Sequence, residues 1–336
     1  MTRLTNCILN KDPSCVPIWF MRQAGRYLPE FRKIRSSNKD FIKLCLNSNL
    51  SSEITLQPLK RFKLDAAIIF SDILMVPFGL GQEVNFVKEV GPVLSSFNLK
   101  KFTDNNKNTF TRKLNPIYEA IKKTKKKLSK EKSLISFIGA PWTIIVYMFE
   151  LKKNKNHIDI NKLKESEVEI KIVIDIISEY LCAHIHNQIQ AGADVVQIFD
   201  SWAGLIPNEK LFDYCYKPNK KIVDFCKTNK IPVICFPKGI NQNYLEFANT
   251  VRPDCLSLDY EIDPMWARNN LSDYCLQGGL DPKILFKNED VMLREVDKYL
   301  QIFKGHPYIF NLGHGLLPET DPKVLQKIVE RVNNFK

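Results

Sequence analysis

VVQIFDSWAG, residues 195–204, carries the reading of the fold. Its first half is a short, nearly continuous apolar run, as in a strand covered on both faces. Its second half turns polar and glycine-bearing at once, as a chain does where a buried strand ends. Similar runs recur outward from it at 66–70, 134–138, 233–236, 255–258 and 308–312, with weaker ones at 18–20 and 274–277. Amphipathic stretches at 53–62, 168–190, 208–227, 289–303 and 322–334 lie between them. Eight strand candidates alternating with helices predict an α/β protein, a distorted (β/α)8 or TIM barrel. A doubly wound open sheet is the alternative, weakened because no Gly-x-Gly-x-x-Gly follows any run. There is no internal repeat and no Gly/Ser linker, and the one compositional break, KKFTDNNKN at 100–108, reads as a surface loop. Residues 1–336 are therefore expected to form a single domain.

A composition of 44% hydrophobic and 26% charged residues excludes collagen-like, mucin-like and low-complexity classes. No apolar run reaches the roughly 18 residues that cross a bilayer, and residues 1–12 lack the apolar centre of a secretory leader, so no membrane role and a cytosolic address are expected. The nine cysteines form no Cys-x-x-Cys pair and suggest neither a zinc site nor a disulfide framework. His184 and His186, two apart on a helix, face different directions and cannot share a metal. The net charge of +12 is concentrated: residues 112–132 hold nine Lys/Arg against two Glu. They read as one helix with Leu114, Ile117, Ile121 and Leu128 inward and its lysines solvated; a substrate-steering patch is the alternative, and nucleic acid is not expected as a partner. With 38 Lys and only 11 Arg in the chain, the four Arg between 22 and 35 mark a place that needs the guanidinium fork.

The residues just beyond the runs are more informative than the runs. Ser71 and Asp72 follow 66–70, Gly139-Ala140-Pro141-Trp142 follows 134–138, Asp200-Ser201-Trp202 follows 195–199, and Gly313-His314-Gly315 follows 308–312. In a barrel these positions converge on one mouth, where such folds build their sites. Asp72 lies between apolar stretches and reads as a partly desolvated carboxylate or a turn aspartate. His314 between two glycines reads as a ligand-facing or a structural histidine. Ser201 has no nucleophile elbow, so it is a hydrogen-bond donor or an ordinary loop serine. Arg22 and Arg26 flank Ala24 and Gly25, which suits a ligand with several carboxylates, the alternative being surface ion pairs. Tyr147, aromatic among aromatics, fits the core better than a site.

VPIWFMRQAGRYLPEFRKIR (16–35), LDAAIIFSDIL (64–74), GAPWT (139–143), FDSWAG (199–204) and NLGHGLLPETDP (311–322) together resemble the uroporphyrinogen decarboxylase family over nearly the whole chain. The resemblance implies a cytosolic, homodimeric, cofactor-free and metal-free enzyme of haem biosynthesis on a distorted TIM barrel. Its activity would convert the four acetates of uroporphyrinogen III to methyls, giving coproporphyrinogen III and four CO2. Carried over to this chain, the substrate site is Arg22, Gln23, Ala24, Gly25, Arg26, Asp72, Tyr147, Ser201 and His314, with Asp72 catalytic. The chain departs from the family pattern at 151–155, LKKNK in place of a Gly/Ser-rich stretch, and at Gly279, commonly Asn. The chemistry agrees: decarboxylating a pyrrole acetate needs an electron sink, protonation of a pyrrole carbon creates one, and a carboxylate beside the pyrrole N–H groups would stabilise that cation. Two other readings have different requirements. A zinc-dependent methyl transfer would need a His/Cys ligand set, and a tetrapyrrole carrier would keep the arginines but not Asp72.

Overall fold

A computed structural model describes residues 1–87, 90–154 and 157–335. Among these residues the strands are β1 (Ala66–Ile68), β2 (Val84–Val87), β3 (Gly91–Leu94), β4 (Ser133–Gly139), β5 (Val195–Asp200), β6 (Val233–Pro237), β7 (Cys255–Leu258), β8 (Cys275–Gly278) and β9 (Tyr308–Ile309). Seven form one parallel sheet in the order β1-β4-β5-β6-β7-β8-β9, so each barrel strand pairs with the next in sequence and helices cross over outside. The other two, β2 and β3, make an antiparallel hairpin that the sequence pattern does not reveal, because strands of four residues, partly exposed, give too few alternations to read.

The eighth barrel position is filled without a regular strand. Residues 17–20 make a single parallel bridge, Ile18 to Phe310, and Phe310 N donates to Pro17 O at 2.8 Å. On the other side Asp65 N donates to Ile18 O at 2.9 Å, while Ile18 N donates to Asp65 Oδ2 at 2.8 Å. Pro17 has no N–H to lengthen the ladder, and a side-chain carboxylate stands in for a carbonyl, so the ring closes through one distorted seam.

Alternation along the strands separates two cores. Ala66, Ile68, Ile135, Val195, Phe199, Ile234, Phe236 and Ile309 meet Trp19 and Met21 inside the barrel, whereas Ala67, Leu134, Val196, Ile198 and Leu256 pack outward against helices. Fully burying a side chain of Val, Leu, Ile or Phe contributes about 1.5–3 kcal/mol. Helix Arg3–Leu9 sends Leu4, Cys7 and Ile8 into the inner core. Arg3 pairs with Asp65 at 3.0 Å just before β1, and Thr2 bonds Ser133 at the start of β4, so this helix plugs the end where the strands begin. Higher in the interior Trp19 Nε1 donates to Gln277 Oε1 at 2.8 Å, and Gln277 Nε2 donates to Ser257 Oγ at 3.1 Å and Gln197 Oε1 at 3.2 Å. Buried polar groups are thus satisfied by one another, as a dry interior requires.

Two expectations are corrected. The break at 100–108 is not a plain loop: helix Leu99–Thr103 buries Phe102, and Asn98 and Asn106 cap two successive helices. The basic helix runs Lys107–Lys127 and ends before Leu128. Its lysine-rich end lies toward the start of β4, at the plugged end of the barrel, with Lys123 bonded to Ser48 and Asn49 and Lys125 to Asp194. Gly279 has a φ of +97°, which favours glycine, and its carbonyl accepts from Tyr299 at 2.9 Å. In 151–155, Lys152 bridges to Ile158, while Lys155 lies outside the described residues. No helix among the described residues is long and apolar enough to cross a membrane.

Candidate active site at the barrel mouth

After β1 the chain turns through Ser71 and Asp72 into helix Met75–Gly79. Leu74 N donates to Asp72 Oδ1 at 2.8 Å, so the turn role open to any aspartate here is present. It occupies one oxygen; Oδ2 accepts nothing among the described residues. Burial pushes the Asp72 carboxyl up to about 6, against the Leu74 N–H and the charge of Arg22, both of which favour the anion. No ion pair joins Asp72 to Arg22, so the carboxylate remains available to a third group.

Arg22 lies in the left-handed region, with φ +64°, a conformation that costs a non-glycine residue on the order of 1 kcal/mol and is held only where surroundings dictate it. One such constraint is Gly315: a Cβ there would lie 2.4 Å from Arg22 Cδ, so the guanidinium stem lies directly on the glycine backbone. Another is Leu316 N, which donates to Met21 O at 2.9 Å. Solvent reaches the Arg22 side chain, yet protein surrounds it closely enough that desolvation lowers its pKa, with Asp72 opposing and Arg26 reinforcing. Arg26 is exposed, while Ala24 and Gly25 are half-buried between the two arginines. Gln23 differs from its neighbours. It is fully buried, its Oε1 accepts from Phe20 N and its Nε2 donates to Ala66 O, both at 3.0 Å. Its side chain lies beneath the site and ties the arginine loop to β1.

Tyr147 stands near the end of helix Pro141–Met148, which begins directly after β4; it is half-buried, packed against the edge of the core and within electrostatic reach of Asp72 and Arg22. Burial raises its pKa, opposed by the Trp202 indole and by Arg22, with Asp72 adding to the rise, so it is a neutral donor. Its ring meets that of Trp202 edge-on at 6.2 Å, and the buried Trp202 Nε1–H completes no well-aligned hydrogen bond among the described residues. Ser201, just before Trp202, is half-buried and its hydroxyl makes no hydrogen bond among the described residues. Beneath this turn Asp200 accepts from Thr143 Oγ1 at 2.7 Å, Asn219 Nδ2 at 3.1 Å and Cys215 Sγ at 3.4 Å. Cys215 sits in a wide π turn, Phe212–Tyr216, between the 3-10 turn and the helix into which the expected 208–227 stretch divides.

His314 is half-buried, and Gly315 N donates to its Nδ1 at 2.7 Å. That bond requires an unprotonated Nδ1, which leaves Nε2–H as the outward donor. Burial holds its pKa down at about 4, helped by the charges of Arg22 and Lys238. Arg22 therefore lies within electrostatic reach of Arg26, Asp72, Tyr147 and His314 at the barrel mouth, and Ser201 precedes Trp202, whose ring meets Tyr147. Lys238, directly after β6, escaped the sequence reading, although it follows an apolar run as Asp72 and His314 do. His184 is structural: it is buried, bonded to Tyr118 and Gln188, and held at about 3 by burial. Among the described residues no three His, Cys, Asp or Glu side chains are grouped to hold a metal. A groove of about 550 Å³ lined by Glu53, Leu56, Lys60, Lys127 and Lys132 lies near the plugged end, away from these groups.

Fold and cleft define a parallel-barrel enzyme with clustered cations around one desolvated carboxylate at its mouth. The family model described as uroporphyrinogen decarboxylase (URO-D) matches residues 1–335. A uroporphyrinogen decarboxylase of Rickettsia felis is 41% identical over 335 residues, covering 98% of this chain and 96% of its own. One from a Jannaschia species is 40% identical over 328 residues, covering 95% and 94%. This chain belongs to the uroporphyrinogen decarboxylase family. A methyltransferase from Methanosarcina mazei shares the fold, with a TM-score of 0.79 over 99% of this chain and 98% of its own at 15% identity.

Proposed function

We propose that the cleft decarboxylates the four acetate side chains of uroporphyrinogen III to methyls, yielding coproporphyrinogen III and four CO2 in porphyrin biosynthesis. The observation that carries this reading is Asp72: a half-buried carboxylate, fixed through one oxygen by Leu74 and open through the other, near Arg22 but not ion-paired with it among the described residues. Each acetate consumes one proton and releases one CO2. Protonation of a pyrrole carbon turns the ring into a cation, the C–C bond to the carboxylate breaks with its electrons drawn into that ring, and reprotonation of the exocyclic carbon with loss of the ring proton restores the pyrrole. Asp72 Oδ2 accepts the pyrrole N–H groups and stabilises the cation, a fixed charge aimed at developing charge. Because its pKa is about 6, Asp72 is mostly ionised at pH 7 and ready for that role.

Arg22 and Arg26 grip acetate and propionate carboxylates, His314 donates from Nε2, and Tyr147 and Ser201 donate as neutral groups. Ala24 and Gly25 leave room for the ring, and Gln23 contributes by holding the arginine loop in place. The ring serves as its own electron sink, so the reaction needs neither metal nor cofactor. The same reading makes residues 1–336 one functional unit, a cytosolic homodimer acting on a freely diffusing substrate. Anaerobic incubation with uroporphyrinogen III, followed by chromatography of the oxidised porphyrins, should show stepwise loss of four carboxylates. Folded protein that leaves all eight in place would refute the assignment.

A further inference from the structure

We propose that Lys238 is a third cationic anchor of this cleft, its ammonium taking a substrate carboxylate on the His314 side. The proposal rests on the decarboxylase reading above. Lys238 is the first residue beyond β6, and the ends of three adjacent strands hold its backbone. Its N–H donates to Asp200 O at 3.1 Å and its carbonyl accepts from Gly204 N at 2.9 Å. The next residue, Gly239, donates its N–H to Asp259 Oδ2 at 2.7 Å. The backbone is fixed, while the half-buried side chain makes no hydrogen bond or ion pair among the described residues. Other lysines that are partly covered in this chain do pair: Lys125 with Asp194 and Lys210 with Glu167, each at 2.6 Å. A positioned, partly desolvated ammonium without a carboxylate is incomplete until an anion arrives. β6 ends at the same mouth of the parallel sheet as the strands that lead to Asp72 and His314, and the Lys238 charge, like that of Arg22, helps to hold the His314 pKa down.

Substrate chemistry supplies the missing anion. Uroporphyrinogen carries four acetates and four propionates, more negative charge than two arginines and a neutral histidine can answer. Four decarboxylations present four rings in turn, with the remaining side chains rearranged each time. A guanidinium fork holds one geometry, whereas an ammonium on a flexible stem follows a carboxylate through several. Lysine at this one position suits a site that must accept its substrate in four orientations.

The test compares Lys238→Gln and Lys238→Arg with the wild-type enzyme, anaerobically, for kcat, KM and direct binding of uroporphyrinogen III by quenching of tryptophan fluorescence. Loss of a charge-assisted contact should weaken binding by about tenfold to a hundredfold in Lys238→Gln, with KM rising far more than kcat falls. Lys238→Arg keeps the charge and should recover most of the binding of uroporphyrinogen III itself, while its fixed fork should let partly decarboxylated intermediates accumulate. NMR titration, with the His314 signal assigned from its loss in His314→Gln, should show a higher His314 pKa in Lys238→Gln and little change in Lys238→Arg. Unchanged binding in Lys238→Gln, or equal losses in both variants with a lowered Tm, would overturn the proposal and leave Lys238 structural. Wild-type protein that binds uroporphyrinogen without decarboxylating it would refute the decarboxylase reading, while the binding comparison would still decide the role of Lys238.

Discussion

Asp72 and Asp200 are two aspartates in nearly the same situation with opposite partners. Each follows an apolar run that ends at the barrel mouth, and burial pushes each carboxyl up to about 6. Asp200 is 1% exposed and meets three side-chain donors, Thr143, Asn219 and Cys215. Asp72 is half-buried and meets one backbone N–H, with an oxygen to spare. The same desolvation therefore has two uses. Where donors surround the group it braces the turn that carries Ser201 and Trp202; where they do not, it leaves a charge whose missing partner is the substrate.

The largest expected effect breaks the pair at Asp72. Asp72→Asn keeps the shape and removes the charge, so kcat should fall about a hundredfold, on the order of 3 kcal/mol, while Tm changes little. Near-normal kcat in the folded variant would falsify the catalytic role. Asp200→Asn should behave in reverse. An amide N–H facing one of the existing donors should lower stability by about 1–3 kcal/mol, read by urea denaturation, with a smaller change in kcat of the folded enzyme. Equal stability of the two variants would erase the distinction drawn between the sites.

The pH dependence sharpens the same contrast. Activity needs ionised Asp72, so kcat/KM should rise with pH through an acid limb near 6, which Asp72→Asn should lack. For stability the sign is opposite. The folded carboxyl at about 6 holds its proton more tightly than the unfolded one at the ordinary 3.8, so the contribution of Asp200 is full below about pH 4 and is lost as pH rises to about 6. His184 and His314, held at about 3 and about 4, act the other way, adding stability as pH rises toward 6.5. Subtracting the stability of Asp200→Asn from that of wild type cancels the histidines, and the difference should be larger at pH 4 than at pH 7. A difference independent of pH would mean that Asp200 is not held protonated by burial.

Smaller effects test the surroundings. Gly315→Ala puts a methyl where the Arg22 stem lies, and KM should rise about tenfold, about 1.4 kcal/mol, as the guanidinium is displaced. Replacing Lys113, Lys122, Lys126 and Lys127 together by Gln should change kcat by less than about twofold, because the three of these at the C-terminal end of helix Lys107–Lys127 lie toward the plugged end of the barrel. A kcat loss above about tenfold in this variant, with the fold intact, would give that helix a part in the chemistry.

Much of the fold and site is legible in one dimension. Runs such as AAIIF and VVQIF mark buried strands because a parallel strand covered on both faces cannot carry charge, and the residue after each run must lie at the open end of the barrel. Asp72, Ser201 and His314 stand at such positions, and the arginine bias points to Arg22 and Arg26. Lys238 stands at one too, but lysine is so common in this chain that one more carries no signal.

What sequence could not decide is which polar groups are already satisfied. Gln23 lies between the arginines in the chain yet bonds Phe20 and Ala66 beneath the site, and Asp200 differs from Asp72 in its deeper burial and in the donors brought to it: Thr143, Cys215 from the π turn and Asn219 from the helix that follows. The closure at Ile18 depends on the Asp65 carboxylate, and the plug depends on where helix Arg3–Leu9 meets the far ends of the strands. Hydrophobic period is a local property of the chain, so it determined the barrel strands, the longer helices and the end of the barrel that bears the site. Hydrogen-bond partnership joins residues tens to hundreds of positions apart, so only the folded chain decides which carboxylate is braced and which is left for a ligand.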